Sequence, residues 1–389
     1  MSNTDAHNTD IIPNANEAVK ALLEKLVNEG TEIGIQVSAY LRGRCVIDTC
    51  AGLTTADHGT AVNGETIFSI FSVIKGVITA AAHLQAEKGL LDIHAPIASY
   101  WPEFAVNGKG QITLHHVLCH RSGLPQMPAG STIERVKDWN WITSEIANLT
   151  PLHTPGIQGH YHAMTYGWLV SEAVRRTDPG HRDIDRFIQE EICIPLGIKK
   201  LFLTVPEQAR SRVAILSGAA YPAELPADSV FRLGIPRAMD LDPANFNRPD
   251  VQSTLIPAVG GYANARSVAA VFALLANGGE LNGVRLLSPE RVQALSTARS
   301  DTDAPDPFLG GPARLSSGGY MLGGSKAAVG SRKDTLFSIG AGGSIAWADV
   351  QHGLAVAVTH NKMYYGIPAD KEPALAIGNT VRKALGIPD

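Results

Sequence analysis

The stretch Phe68-Ser69-Ile70-Phe71-Ser72-Val73-Ile74-Lys75-Gly76 decides how the rest of this chain is read. It runs into an almost unbroken apolar segment that reaches Leu91. The pattern is an extended approach over residues 65–71, a serine, and then a helix apolar on nearly every face, as expected of a helix buried between two layers. If Ser72 opens that helix, Lys75 lies one turn further along the same face, because residues three apart are neighbours on a 3.6-residue spiral. The amine then reaches the hydroxyl. A serine hydroxyl becomes a competent nucleophile when a neighbouring base takes its proton, and a lysine is such a base only where its surroundings depress its pKa. Phe68, Phe71, Val73, Ile74, Val77 and Ile78 supply a dry setting of that kind. The competing reading makes Ser72 a helix N-cap and Lys75 a snorkelling surface lysine. An S-x-x-K spacing recurs by chance, so other segments must decide.

Composition narrows the field. A chain of 389 residues can bury a large core in one big domain or two intimately joined ones. A formal net charge of -4 and the absence of a Lys/Arg block argue against nucleic acid or an anionic membrane surface as partner. A small, weakly charged substrate is expected instead. Residues 1–16 are polar, with neither the cationic start nor the apolar core of a secretory signal, so export is not expected. The longest apolar candidate for a membrane span is interrupted by His83, Gln85, Glu87 and Lys88. Cys45, Cys50, Cys119 and Cys193 have no metal-type pairing, which suits reduced thiols in a cytoplasmic protein. A Cys45–Cys50 bridge is the less favoured alternative.

Periodicity sets the layout. Residues 16–28 read as an amphipathic helix closed by Gly30, and 33–40 with 45–50 read as a hairpin around Arg42-Gly43. Helices are expected at 112–119, 132–149, 164–176, 184–192, 265–276 and 373–385. Residues 205–257 are rich in proline and glycine and lose periodicity, which predicts long loops of the kind that wall a binding site. Short strands return at 319–322, 336–339, 344–349 and 354–360. Strands therefore occupy both ends of the sequence and helices its middle. The expectation is an α+β protein: residues 12–71 and 258–389 build one sheet lobe from both chain ends, and 72–257 form a mainly helical lobe with long active-site loops.

A second chemical element follows at Pro155-Gly156, where a glycine-rich turn carries Tyr161 towards a helix. A phenol fixed there can relay a proton to or from Ser72 Oγ if Lys75 and local dipoles favour its phenolate. An isolated tyrosine would more simply pack under a loop. Ser72-Val73-Ile74-Lys75, the segment from Leu114 ending His120-Arg121-Ser122-Gly123-Leu124, the Pro-Gly before Tyr161, and Gly340-Ala341-Gly342-Gly343-Ser344 together resemble the β-lactamase-like serine hydrolases. These include class C β-lactamases, DD-peptidases and, nearest in kind, family VIII carboxylesterases. The resemblance spans nearly the whole chain from Glu17 and rests on joint order and spacing. It implies a β-lactamase/transpeptidase-like fold, an antiparallel sheet flanked by helices with an inserted helical lobe. It also implies acylation of Ser72 with Lys75 and Tyr161 as the acid/base pair, and an oxyanion hole from the backbone N–H groups of Ser72 and Ala341.

Two departures bear on the substrate. Where β-lactamases have Tyr-x-Asn this chain has Tyr161-His162-Ala163, and where they have Lys-Thr-Gly it has Ser338-Ile339-Gly340, assigned here as the substrate-binding strand. The amide and the cation that anchor a lactam or peptide are thus both missing, which favours a carboxylic ester recognised by an apolar pocket.

Other sites read weakly. The chain has no Gly-x-Ser-x-Gly, which argues against an α/β-hydrolase elbow. His116 and His120 stand four apart but lack the glutamate of H-E-x-x-H, and Gly340–Gly343 lacks the context of a phosphate loop. The expected protein is a serine carboxylesterase that needs no metal and no organic cofactor and whose partner is a small-molecule ester. Alternatives on the same scaffold are an amidase, a weak β-lactamase, an acyltransferase, or a non-catalytic binding protein. The sequence does not fix the oligomeric state and leaves a homo-oligomer open.

Overall fold

Alternation in the strands at the two chain ends divides large from small side chains. In the computed structural model, which describes residues 9–324, 329–368 and 371–388, helix α1 (Pro13–Asn28) leads into β1 (Gly34–Leu41) and β2 (Arg44–Gly52). Residues 1–8, part of the segment read for an export signal, lie outside the described residues. The β1–β2 turn has positive φ at both Arg42 (49°) and Gly43 (77°), the mirror-image turn whose twist matches flanking strands. The middle of the chain carries α2 (Ile74–Glu87), α3 (Leu114–Leu118), α4 (Trp139–Ala147), α5 (Thr165–Thr177) and α6 (Ala265–Ala276). Then follow β3 (Met321–Leu322), β4 (Leu336–Ile339), β5 (Ile345–Asp349), β6 (Leu354–His360) and α7 (Pro373–Leu385). The main sheet has six strands in the order β3-β4-β5-β6-β1-β2, every neighbouring pair antiparallel.

β6 is the seam between the chain ends, with Val37 of β1 opposite Val358. Its outward Leu354, Val356 and Val358 join Trp347, Ile35 and Val37 in a core capped by α1 and α7 through Val19, Leu23, Ile377 and Val381. Each large apolar side chain so buried contributes about 1.5–3 kcal/mol relative to exposure. The inward residues of the same strands are Ala346, Ala348, Ala355 and Ala357, and they meet the alanine-rich α6. Small side chains on both surfaces let the helix lie close against the sheet without voids. Asn264 starts α6 by accepting a hydrogen bond from Ser267 N–H at 2.9 Å.

Some elements differ from the sequence expectation. Residues 132–149 do not form one helix: a 3-10 turn spans Arg135–Lys137, and Asp138 then caps α4 by accepting from Trp141 N–H at 3.0 Å. The apolar period continues across that cap, but an aspartate bonding the backbone two to three residues on restarts the helix. Residues 205–257 are not featureless loop; they wind through short turns such as Glu207–Arg212, Val230–Gly234 and Pro249–Gln252 around buried Met239, Leu241 and Phe246. All four cysteines are free. No helix among the described residues is long and apolar enough to cross a membrane.

Candidate active site

The chain enters the site under constraint. Phe68–Ser69 pairs antiparallel with Tyr262–Ala263, and Ile70 N–H donates to Gly261 O at 2.8 Å. Only these two residues of the expected extended approach form a strand: Thr66 N–H closes a turn onto Asn63 O at one end, and Phe71 enters the left-handed region at φ 44° at the other. A bulky residue there is strained by on the order of 1–3 kcal/mol and needs its surroundings to hold it. Its ring provides the anchor, buried 4.8 Å from that of Phe246. A 3-10 turn over Phe71–Val73 follows, and α2 begins at Ile74. Ser72 caps neither element, which removes the N-cap reading. Gly76 in the first turn of α2 is required by crowding: a Cβ there would lie 2.8 Å from both Phe272 Cζ and Ser338 Oγ.

Lys75 is 5% exposed and does not snorkel. Its Nζ lies 2.8 Å from Ser72 Oγ, 2.8 Å from Ala163 O and 3.0 Å from Ala258 O. Among the described residues no carboxylate pairs with it, and burial alone holds its pKa well below the ordinary 10.5. A neutral amine has two N–H donors and one lone pair. It can therefore donate to the two carbonyls while accepting the Ser72 hydroxyl proton.

Tyr161 faces the same hydroxyl. Burial pushes its phenol up to about 12, opposed by a hydrogen bond with Ser72. Its ring lies 5.2 Å from Lys75 Nζ and stacks at 4.6 Å on His120, which stacks in turn at 4.9 Å on Tyr166. His120 Nδ1 accepts from His162 N–H at 2.9 Å, so the break His120-Arg121-Ser122 pins the Tyr161 segment from behind. His162 turns away from the cavity, with Nε2 2.6 Å from Ser122 Oγ. Asp306 secures the other side: Oδ2 accepts from Tyr161 N–H at 2.7 Å, and Oδ1 accepts from Phe308 N–H and Leu309 N–H at 2.9 and 3.2 Å. Sequence reading missed Asp306, which lies in a segment with no periodic signal.

Ser72, Tyr161, Ala163, Ile339, Gly340 and Ala341 all line one cavity of about 300 Å³. Its further walls are largely apolar or aromatic, including Phe231, Ile235, Leu241, Phe308 and Met321. Gly340 touches the segment leading into Ser72, since a Cβ on it would come within 2.3 Å of Ile70 O. That close crossing sets the strand end carrying Ala341 beside Ser72. Ser338, expected with Ile339 and Gly340 on the substrate-binding strand, is absent from the cavity wall; its side chain is buried facing Gly76. Glu372, at the start of α7, is among the lining residues unforeseen from sequence.

The paired histidines serve local structure. His116 closes a capping box with Thr113 at the start of α3, and His120 belongs to the aromatic stack. Among the described residues, no group of three or more His, Cys, Asp or Glu side chains could hold a metal ion.

Comparison with known proteins agrees with this architecture. The chain is 30% identical over 344 residues to the Esterase/beta-lactamase LipL of Mycobacterium tuberculosis, covering 85% of this chain and 77% of that protein. A penicillin-binding protein homolog from Caulobacter crescentus superposes with a TM-score of 0.85 at 26% identity, over 96% of this chain and 99% of the other. A family VIII carboxylesterase of known structure shares the fold, with a TM-score of 0.87 at 23% identity over 96% and 99% of the two chains. The family model described as Beta-lactamase matches residues 19–379, and the chain accordingly belongs to the β-lactamase family of hydrolases.

Proposed function

We propose that this protein is a serine carboxylesterase that hydrolyses small carboxylic esters through an acyl-enzyme on Ser72. The observation that carries the reading is the 2.8 Å approach of Lys75 Nζ to Ser72 Oγ beside an apolar cavity, with burial holding the amine's pKa well below its ordinary value. In this reading the Ser72 hydroxyl proton passes directly to Lys75 as Oγ attacks the acyl carbon. The backbone N–H groups of Ser72 and Ala341 receive the developing oxyanion. Tyr161, neutral because its pKa is raised to about 12, donates its proton to the leaving alkoxide and recovers one from the Lys75 ammonium. Water, deprotonated by the same pair, then releases the acid and frees Ser72.

The ester preference is supported by what the cavity offers. Ala163 lines it where an amide side chain would sit in a lactamase, and among the described residues no lysine or arginine lines it. An acyltransferase shares the same acyl-enzyme, and the relative named Esterase/beta-lactamase keeps weak lactam turnover as a second reading. We place the protein in the cytoplasm, which its four free cysteines support.

The decisive experiment is intact-mass analysis of the wild-type protein and Ser72→Ala after incubation with short-chain aryl esters and with lactams, alongside steady-state rates. A mass increase from esters that Ser72→Ala lacks, with a folded variant and hydrolysis abolished, is the expected result. An unchanged hydrolysis rate in Ser72→Ala removes the reading, dominant turnover of a cephalosporin favours the lactamase, and added alcohol diverting the acyl group favours transfer. Failure of a fluorophosphonate to label Ser72 would favour a non-catalytic binding role.

A further inference from the structure

The cavity carries a charge that the acyl-transfer chemistry does not use. Glu372 is its only charged lining residue among the described residues, and it comes from the last turn of chain before α7, remote in sequence from Ser72 and Tyr161. It occupies the N-cap position of α7, where a carboxylate commonly bonds a backbone N–H two or three residues on. Here the side chain makes no such bond. Its backbone oxygen accepts from Leu375 N–H at 3.1 Å, so the residue caps through its main chain while its carboxyl stays available. Among the described residues no ion pair or hydrogen bond engages that carboxyl. Burial pushes its pKa upward, with nothing among the described residues to offset the cost.

We propose that Glu372 is a specificity-determining residue that selects esters carrying a cationic group, a protonated or quaternary amine, on the part of the substrate lying in this cavity. The proposal rests on the esterase reading and names its substrate class. A half-buried carboxylate without a partner attracts an ammonium and repels a carboxylate, and both effects are stronger in a low-dielectric cleft than in water. Among the described residues no lining cation competes for it. The guanidinium nearest the aromatic wall, Arg232, lies 5.6 Å over Phe231 and is already paired with Asp240. The stacked rings of Phe231 and Phe308, 5.0 Å apart, offer apolar surface that tolerates the methyl groups of a quaternary amine. An anion at 372 with no cation among the described lining residues reverses the charge preference expected of a site for lactam or peptide carboxylates.

The test compares two esters of one acyl chain, the choline ester and its uncharged isostere, the 3,3-dimethylbutyl ester, in wild type, Glu372→Gln and Glu372→Lys. The expected kcat/KM ratio favours the choline ester by about 10-fold in wild type, the scale of one partly screened charge pair. It falls towards one in Glu372→Gln and inverts in Glu372→Lys. The same ratio in all three proteins, or a wild-type preference for the uncharged ester, overturns the proposal. If neither ester is turned over, the esterase reading fails separately, and calorimetric binding of choline decides: tighter binding to wild type than to Glu372→Gln supports the acidic subsite, and equal or absent binding overturns it.

Discussion

The amine of Lys75 stands 2.8 Å from the backbone oxygen of Ala163, a residue 88 positions further along the chain. That contact ties the serine motif to the segment that carries Tyr161, two residues before Ala163. A lysine held by two carbonyls and aimed at a hydroxyl has no freedom to leave the site.

Replacing it by another cation tests its role as base. Lys75→Arg keeps a long, positively charged side chain, but guanidinium does not deprotonate in proteins. Ester hydrolysis is expected to fall by about 100- to 10,000-fold, the usual contribution of a positioned acid/base group. Steady-state kinetics with an aryl ester check this, and an arginine variant with near-native kcat would exclude Lys75 as the base.

The pH profile follows from two opposite shifts. Burial lowers the Lys75 pKa and raises that of Tyr161 to about 12, and the proposed mechanism requires the amine and the phenol both to be neutral. Activity should rise as pH increases through the depressed Lys75 pKa and then level off, with no falling limb until the approach to about 12. Initial rates in buffers of constant ionic strength measure this. A bell that descends near neutrality would mean that a different group supplies the proton.

The same burial costs stability. The folded-state pKa of Lys75 lies below its unfolded value, so between the two the unfolded chain binds more protons and stability rises with pH. At neutral pH burying this amine is therefore a burden, and Lys75→Met, which fills similar space without titrating, should melt at a higher temperature than wild type. The difference should shrink as pH rises towards 10.5, the ordinary lysine value. Thermal unfolding at several pH values gives the answer, and an equal or lower Tm for the methionine variant at neutral pH contradicts it.

Asp306 holds the Tyr161 backbone from outside the cavity wall. Asp306→Ala strands the N–H groups of Tyr161, Phe308 and Leu309. An unsatisfied buried donor costs about 1–3 kcal/mol, and the loosened phenol should lower kcat more than it raises KM. Asp306→Asn retains one acceptor oxygen and should recover part of the loss. A variant with reduced stability but unaltered kcat would confine Asp306 to a purely architectural part.

Much of this was legible in the sequence because it is encoded locally. Alternation marks β1, β2, β5 and β6, and the i to i+3 spacing of Ser72 and Lys75 needs only helical geometry. The fold class and the family resemblance follow from such short-range patterns taken in order. What escaped is set by contacts between distant segments. Asp306 reaches Tyr161 across 145 positions, and nothing around Pro305 distinguishes it from a surface turn. Glu372 reads as an ordinary residue ahead of a helix until the chain end is folded against the cavity. Phe71 reads as extended because alternation says nothing about a single reversed φ, which is sustained by Phe246. Ser338 illustrates the reverse error, since its neighbours line the cavity while pleating turns its own side chain to the opposite face.

The seam between β1 and β6 has a consequence for biosynthesis. Synthesis proceeds from the N-terminus, so β1 emerges and pairs with β2 while its other edge waits for more than 300 residues to be made, as the pairing of Ile35 with His360 requires. Through that interval an apolar strand edge is open to wrong partners, and closing so long a loop is slow. Nascent chains stalled before β6 should therefore be the species that aggregates or recruits chaperones, whereas those released after it can close the sheet unaided.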